Sequence, residues 1–307
     1  MKRKTELRAI PAALLSLVCA ASLVAQVRSP ARPSPVLIIQ TNPKAIVWLD
    51  DVRRGVTDDS GQLSLAKVSS GAHVLRVRAD GFHETTVPLL PGRRGLVTVR
   101  LLRTTEEGEL LFQQAEAARE KANDDESRHR AADLYRRALK LRPTMAPAYV
   151  GLARVLMDLN DFQGALKEID NARRYRPDYP EASAVEGRVN REAAYTDEAI
   201  AAFNRSIREG HGFQPEAHVG LARVFEDRGQ YDEAAREYEI AIKQLSDTEP
   251  VIYQLLGAVC EKLQRYKEAV TAYEKYLELA PNSSLAPAVR SILDQVRREA
   301  AGQQLSP

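Results

Sequence analysis

The stretch Ala146–Tyr179, APAYVGLARVLMDLNDFQGALKEIDNARRYRPDY, decides how the rest of the chain is read. Tyr149, Leu152 and Leu156 fall on one face of a helix at i, i+3, i+7 spacing. Ala165, Ile169 and Ala172 do the same at i, i+4, i+7. Asn160-Asp161 separates the two runs, and Pro177 stops the second because proline cannot continue a helix. The prediction is a hairpin of two short helices, with small Ala153 and Ala165 allowing close approach. Such a hairpin cannot bury its apolar faces alone, so it must stack on others like it.

Similar hairpins follow. Ala153, Gly187, Ala222 and Gly257 recur every 34 or 35 residues in the first helix. Ala165, Ala199, Ala234, Ala269 and Ile169, Phe203, Tyr238, Tyr273 recur in the second. A looser early copy carries Ala131, Tyr135, Ala138 and Pro143. This order of small, aromatic and terminal proline positions resembles the tetratricopeptide repeat. The resemblance implies an all-α superhelical solenoid over residues 108–282, with repeats at 108–145, 146–179, 180–214, 215–249 and 250–282. Residues 283–300, with Leu285, Val289, Ile292, Leu293 and Val296, read as the solvating cap helix such arrays need. Residues 301–307 read as a disordered tail.

The third repeat departs from the pattern. Ser183, Glu186 and Asn190 stand where the preceding repeat has Tyr149, Leu152 and Leu156. Loss of that apolar face predicts a packing deficit of several kcal/mol, at about 1.5–3 per large side chain. An extra residue and two glycines lie between Gly210 and Gln214, which reads either as a hinge or docking place, or as tolerance of a poor repeat within a stack.

Outward from the array, residues 36–102 switch to strand periodicity. Val36–Gln40, Ala45–Leu49, His73–Ala79, Thr85–Leu90 and Leu96–Leu102 are predicted strands, separated by Asn-Pro, Asp-Asp, Ser-Gly, Asp-Gly and Pro-Gly turn signals. Short strands at this spacing predict a small all-β sandwich. Thr41-Asn42-Pro43, Ala45, Val47, Leu49-Asp50, Gly55, Gly71, His73 and Asp80-Gly81-Phe82 resemble the PEGA domain, a module of bacterial exported proteins. Pro43-Lys44-Ala45 lacks that family's glycine, and Asp51 stands where glycine commonly follows the aspartate. The departures fall on the first hairpin turn.

Met1–Arg8 carries four basic residues, and Ala9–Ala25 is almost wholly apolar. These features predict export, with residues 1–25 a cleaved signal or, uncleaved, a membrane attachment through residues 9–25. Residues 26–35, rich in proline, read as a tether. The formal charge of +2 hides a +3 signal, leaving −1 without it. A near-neutral chain gives no electrostatic reason for nucleic-acid binding. Cys260 would then be the sole cysteine, placed on an apolar helix face as a core residue.

Catalytic, cofactor and metal residues are not indicated. His73, His83, His129, His211 and His218 lack metal spacing, and no nucleophile motif or phosphate loop occurs. Asp50, Asp51, Asp58 and Asp59 could suit calcium but match no calcium loop and are ordinary turn residues. Trp48 and Phe82 read as core. In the resembled repeat family the first helices line a concave face where ligands bind. There Arg154, Arg188 and Arg223 form a ladder suited to carboxylates, unless Asp158, Glu192 and Asp227 neutralise them at i, i+4. The expectation is a non-catalytic exported scaffold in the periplasm or cell envelope, binding a protein or peptide on its concave face. The alternatives are a cell-wall or glycan binder using the β module and an envelope enzyme without recognisable motifs.

Overall fold

Leu37 and Ile39 point inward while Ile38 and Gln40 are partly exposed, the period-2 alternation of a strand with one buried face. The computed structural model describes residues 36–303 apart from 66, 67, 69, 70, 246 and 247. The expected signal, tether and residues 304–307 lie outside the described residues. Strand β1 (Leu37–Gln40) is followed by β2 (Ile46–Leu49), β3 (Val52–Val56), β4 (Gln62–Leu65), β5 (His73–Arg78), β6 (Thr85–Leu89) and β7 (Gly95–Thr98). Among the described residues they form two sheets, β4-β1-β7 and β3-β2-β5-β6, with β1 and β7 parallel. Leu37, Ile39, Leu65 and Val97 from one sheet meet Val47, Leu49, Leu75, Val77 and Leu89 from the other in a sandwich core.

Two of these strands, β3 and β4, were not expected. Arg53-Arg54 reads as a solubilising pair beside a turn, yet it lies in β3, which pairs with β2 from Leu49↔Val52 to Ile46↔Val56. The turn between them puts both Asp50 (φ 54°) and Asp51 (φ 61°) in the left-handed region. A two-residue hairpin loop with both residues left-handed has the twist that suits its strands, and aspartate tolerates that region better than most side chains. The hairpin therefore forms without the usual glycine. Trp48 is buried, as expected of a core residue. It lies outside the sandwich core, however, with the Arg76 and Arg78 guanidinium groups 4.3 and 5.0 Å from its ring.

Among the described residues five helical hairpins and a further helix follow: α1 (Glu107–Lys121), α2 (Asp125–Leu141), α3 (Ala146–Asp158), α4 (Phe162–Tyr175), α5 (Pro180–Glu192), α6 (Thr196–Glu209), α7 (Pro215–Asp227), α8 (Tyr231–Leu245), α9 (Pro250–Lys262), α10 (Tyr266–Leu279) and α11 (Ala286–Gln303). Proline sits in the first turn of α3, α5, α7 and α9, where its missing N–H has no partner to lose. Asn160, Ala194, Gly229 and Gln264 each adopt positive φ in the turn inside their hairpin. Both α1 and α11 differ from their expected bounds: α1 starts at Glu107, and α11 runs from 286 through 303 instead of 283–300. Leu285 precedes that helix and is half-exposed, while Val289, Leu293 and Val296 pack with Tyr273, Tyr276 and Cys260. Cys260 is buried, and burial pushes its thiol up to about 11.

The packing deficit predicted for the third repeat is replaced by a polar network. Ser183 is fully buried; its hydroxyl donates to Glu209 at 2.7 Å and accepts from Arg173 at 2.8 Å and Arg205 at 3.2 Å. Glu186 pairs with Arg173 at 2.5 Å and also with Arg205. Ser183 and Glu186 thus have polar partners, which offsets part of what their burial costs, while Arg173 Nε is left without an acceptor.

Candidate functional site

The first helices of successive repeats adjoin, α3 to α5 and α5 to α7, and form an inner face. Part of that face is already covered by the β module. At the tip of the β2–β3 hairpin, Asp51 pairs with Arg176 and, at 3.6 Å, with Arg76. Val52 packs against the apolar cluster that Ala222, Ala234, Tyr238 and Ile252 form in α7, α8 and α9. Arg53 reaches Glu120 at 3.1 Å, and Arg78 reaches Glu116 at 3.0 Å. Gln113 of α1 accepts from the Gly81 N–H and donates to the Phe82 carbonyl, both at 2.8 Å. The aspartate at position 51 thus joins the two modules, a role glycine could not fill.

Glu181 is the hub of this junction. It accepts from Arg154 at 2.8 Å, lies 3.6 Å from Arg76 and accepts from the Tyr179 hydroxyl at 3.2 Å. Burial alone would raise its carboxyl, but Arg154 and Arg76 outweigh burial and bring it from 4.5 down to about 2. Burial would raise Glu116 as well, and Arg78 and Arg119 outweigh it there. A carboxyl lowered on folding adds stability that is complete above its unfolded value and is lost as pH falls towards the folded one. Glu84 moves oppositely, raised by its burial, and offsets part of that loss as it takes up a proton. The single tryptophan, Trp48, lies at this junction. Its emission should shift red as pH falls from about 4.5 to 2. Emission unchanged down to pH 2, or a shift complete above pH 5, would contradict the charge-locked junction.

The six residues of the expected ladder are not arranged as i, i+4 pairs. Arg154 is mostly buried and turned onto Glu181, and Arg188 reaches Glu216 at 3.3 Å. Each of these glutamates opens the next repeat's first helix, directly after Pro180 or Pro215. Arg223 has Val251 at the matching place and turns instead to Glu226 at 3.8 Å. Glu192 and Asp227 both pair with Arg191, at 3.1 and 2.8 Å, and Asp158 is exposed. The three arginines lie in successive first helices, α3, α5 and α7, and their partners are not the acids at i, i+4. The signal was present as Pro-Glu 26–28 residues beyond Arg154 and Arg188.

Between the hairpin tip and α7–α9 a cavity of about 460 Å³ remains. Val219, Leu245, Val251 and Ile252 give it an apolar wall, and Gln214, Arg119 and Glu249 give it polar ground. Gln214 precedes α7, at the glycine-bearing insertion of the third repeat. The four turn aspartates form no common cluster: Asp50 binds His73 at 2.6 Å, and Asp58 accepts from Ser60 and Gln62 within its own turn. Among the described residues no group of histidine, cysteine or acidic side chains is placed to hold a metal ion.

Helical hairpins stacked on a common inner face define a solenoid repeat scaffold. Tetratricopeptide-repeat profiles match residues 122–189, 186–250 and 219–284, together more than half of the chain, which therefore belongs to the tetratricopeptide-repeat family. No curated protein matches the chain. Among solved structures it is similar to Pseudomonas aeruginosa PilF, at 17% identity over 64% of this chain and 88% of that one, TM-score 0.53. It is also similar to PilW, a type IV pilus biogenesis factor, at 14% identity over 64% and 89%, TM-score 0.54. A thermophilic repeat protein of Thermus thermophilus matches at 22% identity over 62% and 98%, TM-score 0.50. At these identities the likeness establishes the fold alone.

Proposed function

We propose that this chain is a non-catalytic exported scaffold that holds a protein or peptide partner in the part of the inner, concave face the β2–β3 hairpin leaves open. The observation that carries the reading is the cavity beside that hairpin, where Val251 remains 43% exposed on an otherwise packed face. Arg188 and Arg223, with Glu192 and Asp227 nearby, form the exposed polar ground farther along the same helices. Arg154 and Asp158 contribute less to the partner site, the first because Glu181 engages it and the second because it stands at the helix end. Export is supported by the basic start and the apolar run 9–25, and the sandwich is of the PEGA type by its residue order. Such modules belong to the cell envelope in the family they resemble.

The test is site-specific photocrosslinking in the protein's own host. A benzophenone side chain replaces Val251 on the inner face or Arg236, exposed in α8. The expected result is one discrete protein adduct from position 251, in the envelope fraction, with none from 236. Adducts from 236 alone, or a chain confined to the cytoplasmic fraction, would overturn the reading.

A further inference from the structure

Between Thr85 and Thr105 the chain carries four arginines but no acidic and no aromatic residue. In the same segment Leu90, Leu96 and Leu102 are 78%, 53% and 72% exposed. The arrangement is built into β7 and the residues that follow it. Val97, Val99 and Leu101 point into the sandwich, so Leu96, Thr98, Arg100 and Leu102 point out. Leu90 opens the turn that leads into β7, and the Arg93 N–H closes that turn on the Leu90 carbonyl. The Arg93 guanidinium donates to the Leu96 carbonyl at 2.7 Å, which keeps the cation beside both leucines.

Three of the arginines, Arg93, Arg100 and Arg103, make no ion pair among the described residues. Glu84 and Glu106, the acids that bracket the segment, are engaged by Arg76 and Arg142. Asp58 and Asp59 precede β4, at the end of its sheet away from Gly95. Leu96 stands beside Ile38 on the outer face of the β4-β1-β7 sheet. The other sheet is the one seated on the array, through Arg76 on Glu181 and Arg78 on Glu116 and Phe112. The patch therefore lies on the side of the sandwich away from the helices. The chain enters the sandwich at this same place, since the Val36 carbonyl accepts the Gly95 N–H at 3.0 Å. Only residues 26–35 separate Val36 from the apolar run 9–25, and ten residues span at most about 35 Å.

We infer that this face of the sandwich seats on a bilayer surface that carries anionic lipids. Leu90, Leu96 and Leu102 enter the headgroup boundary, and the arginines pair with lipid phosphates. Exposed aliphatic side chains rimmed by cations suit that boundary. Single-stranded nucleic acid stacks on aromatic platforms, and the segment has none. Each arginine near an anionic surface strengthens binding about fivefold. Seated this way, the sandwich stands between the bilayer and the array, and the array is free to hold its partner.

The test uses the full chain carrying Leu96→Trp, mixed with vesicles of brominated phosphatidylcholine, alone or with an equal part of brominated phosphatidylglycerol. Flotation reports attachment by any route, including residues 9–25, whereas bromine quenching reports whether position 96 touches lipid. Trp48 is buried and adds a constant background. The expected result is quenching in the anionic vesicles only, and none in either for Ile240→Trp, an exposed site in α8. Arg93→Gln, Arg100→Gln and Arg103→Gln together should weaken docking about a hundredfold and remove the quenching, with helicity unchanged. Salt at about 1 M should do the same by screening. Equal quenching in the two kinds of vesicle, equal quenching at positions 96 and 240, no quenching at 96, or quenching that survives the arginine replacements would each overturn the inference. A crosslink at position 251 is unaffected by any of these outcomes, so the scaffold reading stands or falls separately.

Discussion

Glu181→Ala should cost about 3–5 kcal/mol, the usual penalty for removing one partner from a buried ion pair. Arg154 and Arg76 are only 16% and 9% exposed at the side chain, so neither can turn to water when the carboxylate is gone. Arg76 keeps Asp51 and Glu84, whereas Arg154 loses its one close acid. Arg154 is thus the group whose isolation sets the cost. Urea unfolding followed by Trp48 emission reads the effect directly, because Arg76 stacks on that ring. Glu181→Gln, which keeps a hydrogen-bond acceptor but not the charge, should cost less. The double replacement Arg154→Met with Glu181→Leu should lie closer to the parent than Glu181→Ala does, since a buried pair exchanged for apolar side chains is often neutral. A loss below about 1 kcal/mol for Glu181→Ala would show that the junction is held by Val52 and Trp48 rather than by charge.

The parts of this fold that could be read from sequence are those built from near neighbours. The hairpins from α3–α4 to α9–α10 each repeat a 3.6-residue apolar period and a left-handed turn, at Asn160, Ala194, Gly229 or Gln264, and both features lie within one 35-residue window. Strand β3 was hidden because its side chains answer to residues far along the chain. Arg53 looks like a surface residue until Glu120 of α1 is placed beside it, 67 residues on. Asp51 looks like an ordinary turn residue standing in for a glycine until Arg176 is placed beside it, 125 residues on. Local propensity carries no trace of such contacts, so the sequence reading left the inner face open where the hairpin in fact occupies it.

The same limit applies to the arginine ladder. Equal spacing of Arg154, Arg188 and Arg223 does place them on successive first helices. Their partners depend on how one repeat stacks on the next, and that stacking brings Glu181 and Glu216 closer than the acids at i, i+4. Val251 ends the series, and the cavity opens at this place. A break in a repeating pair is therefore a better pointer to free ground than the repeating arginine itself. Gln214 was marked in the sequence only by the inserted glycines before it, and its unmet donor emerges only once burial is known.

Phe203→Ala should cost about 3–5 kcal/mol, from lost apolar burial and the cavity left behind. Phe203 is fully buried, and two glycines close on its ring: an added Cβ would come within 2.6 Å of it at Gly187 and 2.3 Å at Gly220. The choice of phenylalanine follows from the rung beneath it. Tyr238 and Tyr273 each donate to a glutamate twelve residues earlier, Glu226 and Glu261. The matching place for position 203 holds Arg191, which is engaged by Asp227 and Glu192 and gives a tyrosine hydroxyl no carboxylate. Gly187→Ala alone should cost about 1–3 kcal/mol by overpacking the ring. In the Phe203→Ala background its cost should fall towards zero or become a gain, because the added methyl then fills vacant space and alanine favours helix over glycine. Chemical denaturation of the four chains of this cycle, monitored by helix circular dichroism, measures the coupling. Additive effects within about 0.5 kcal/mol would mean that the ring and the glycine do not share the contact the structure gives them.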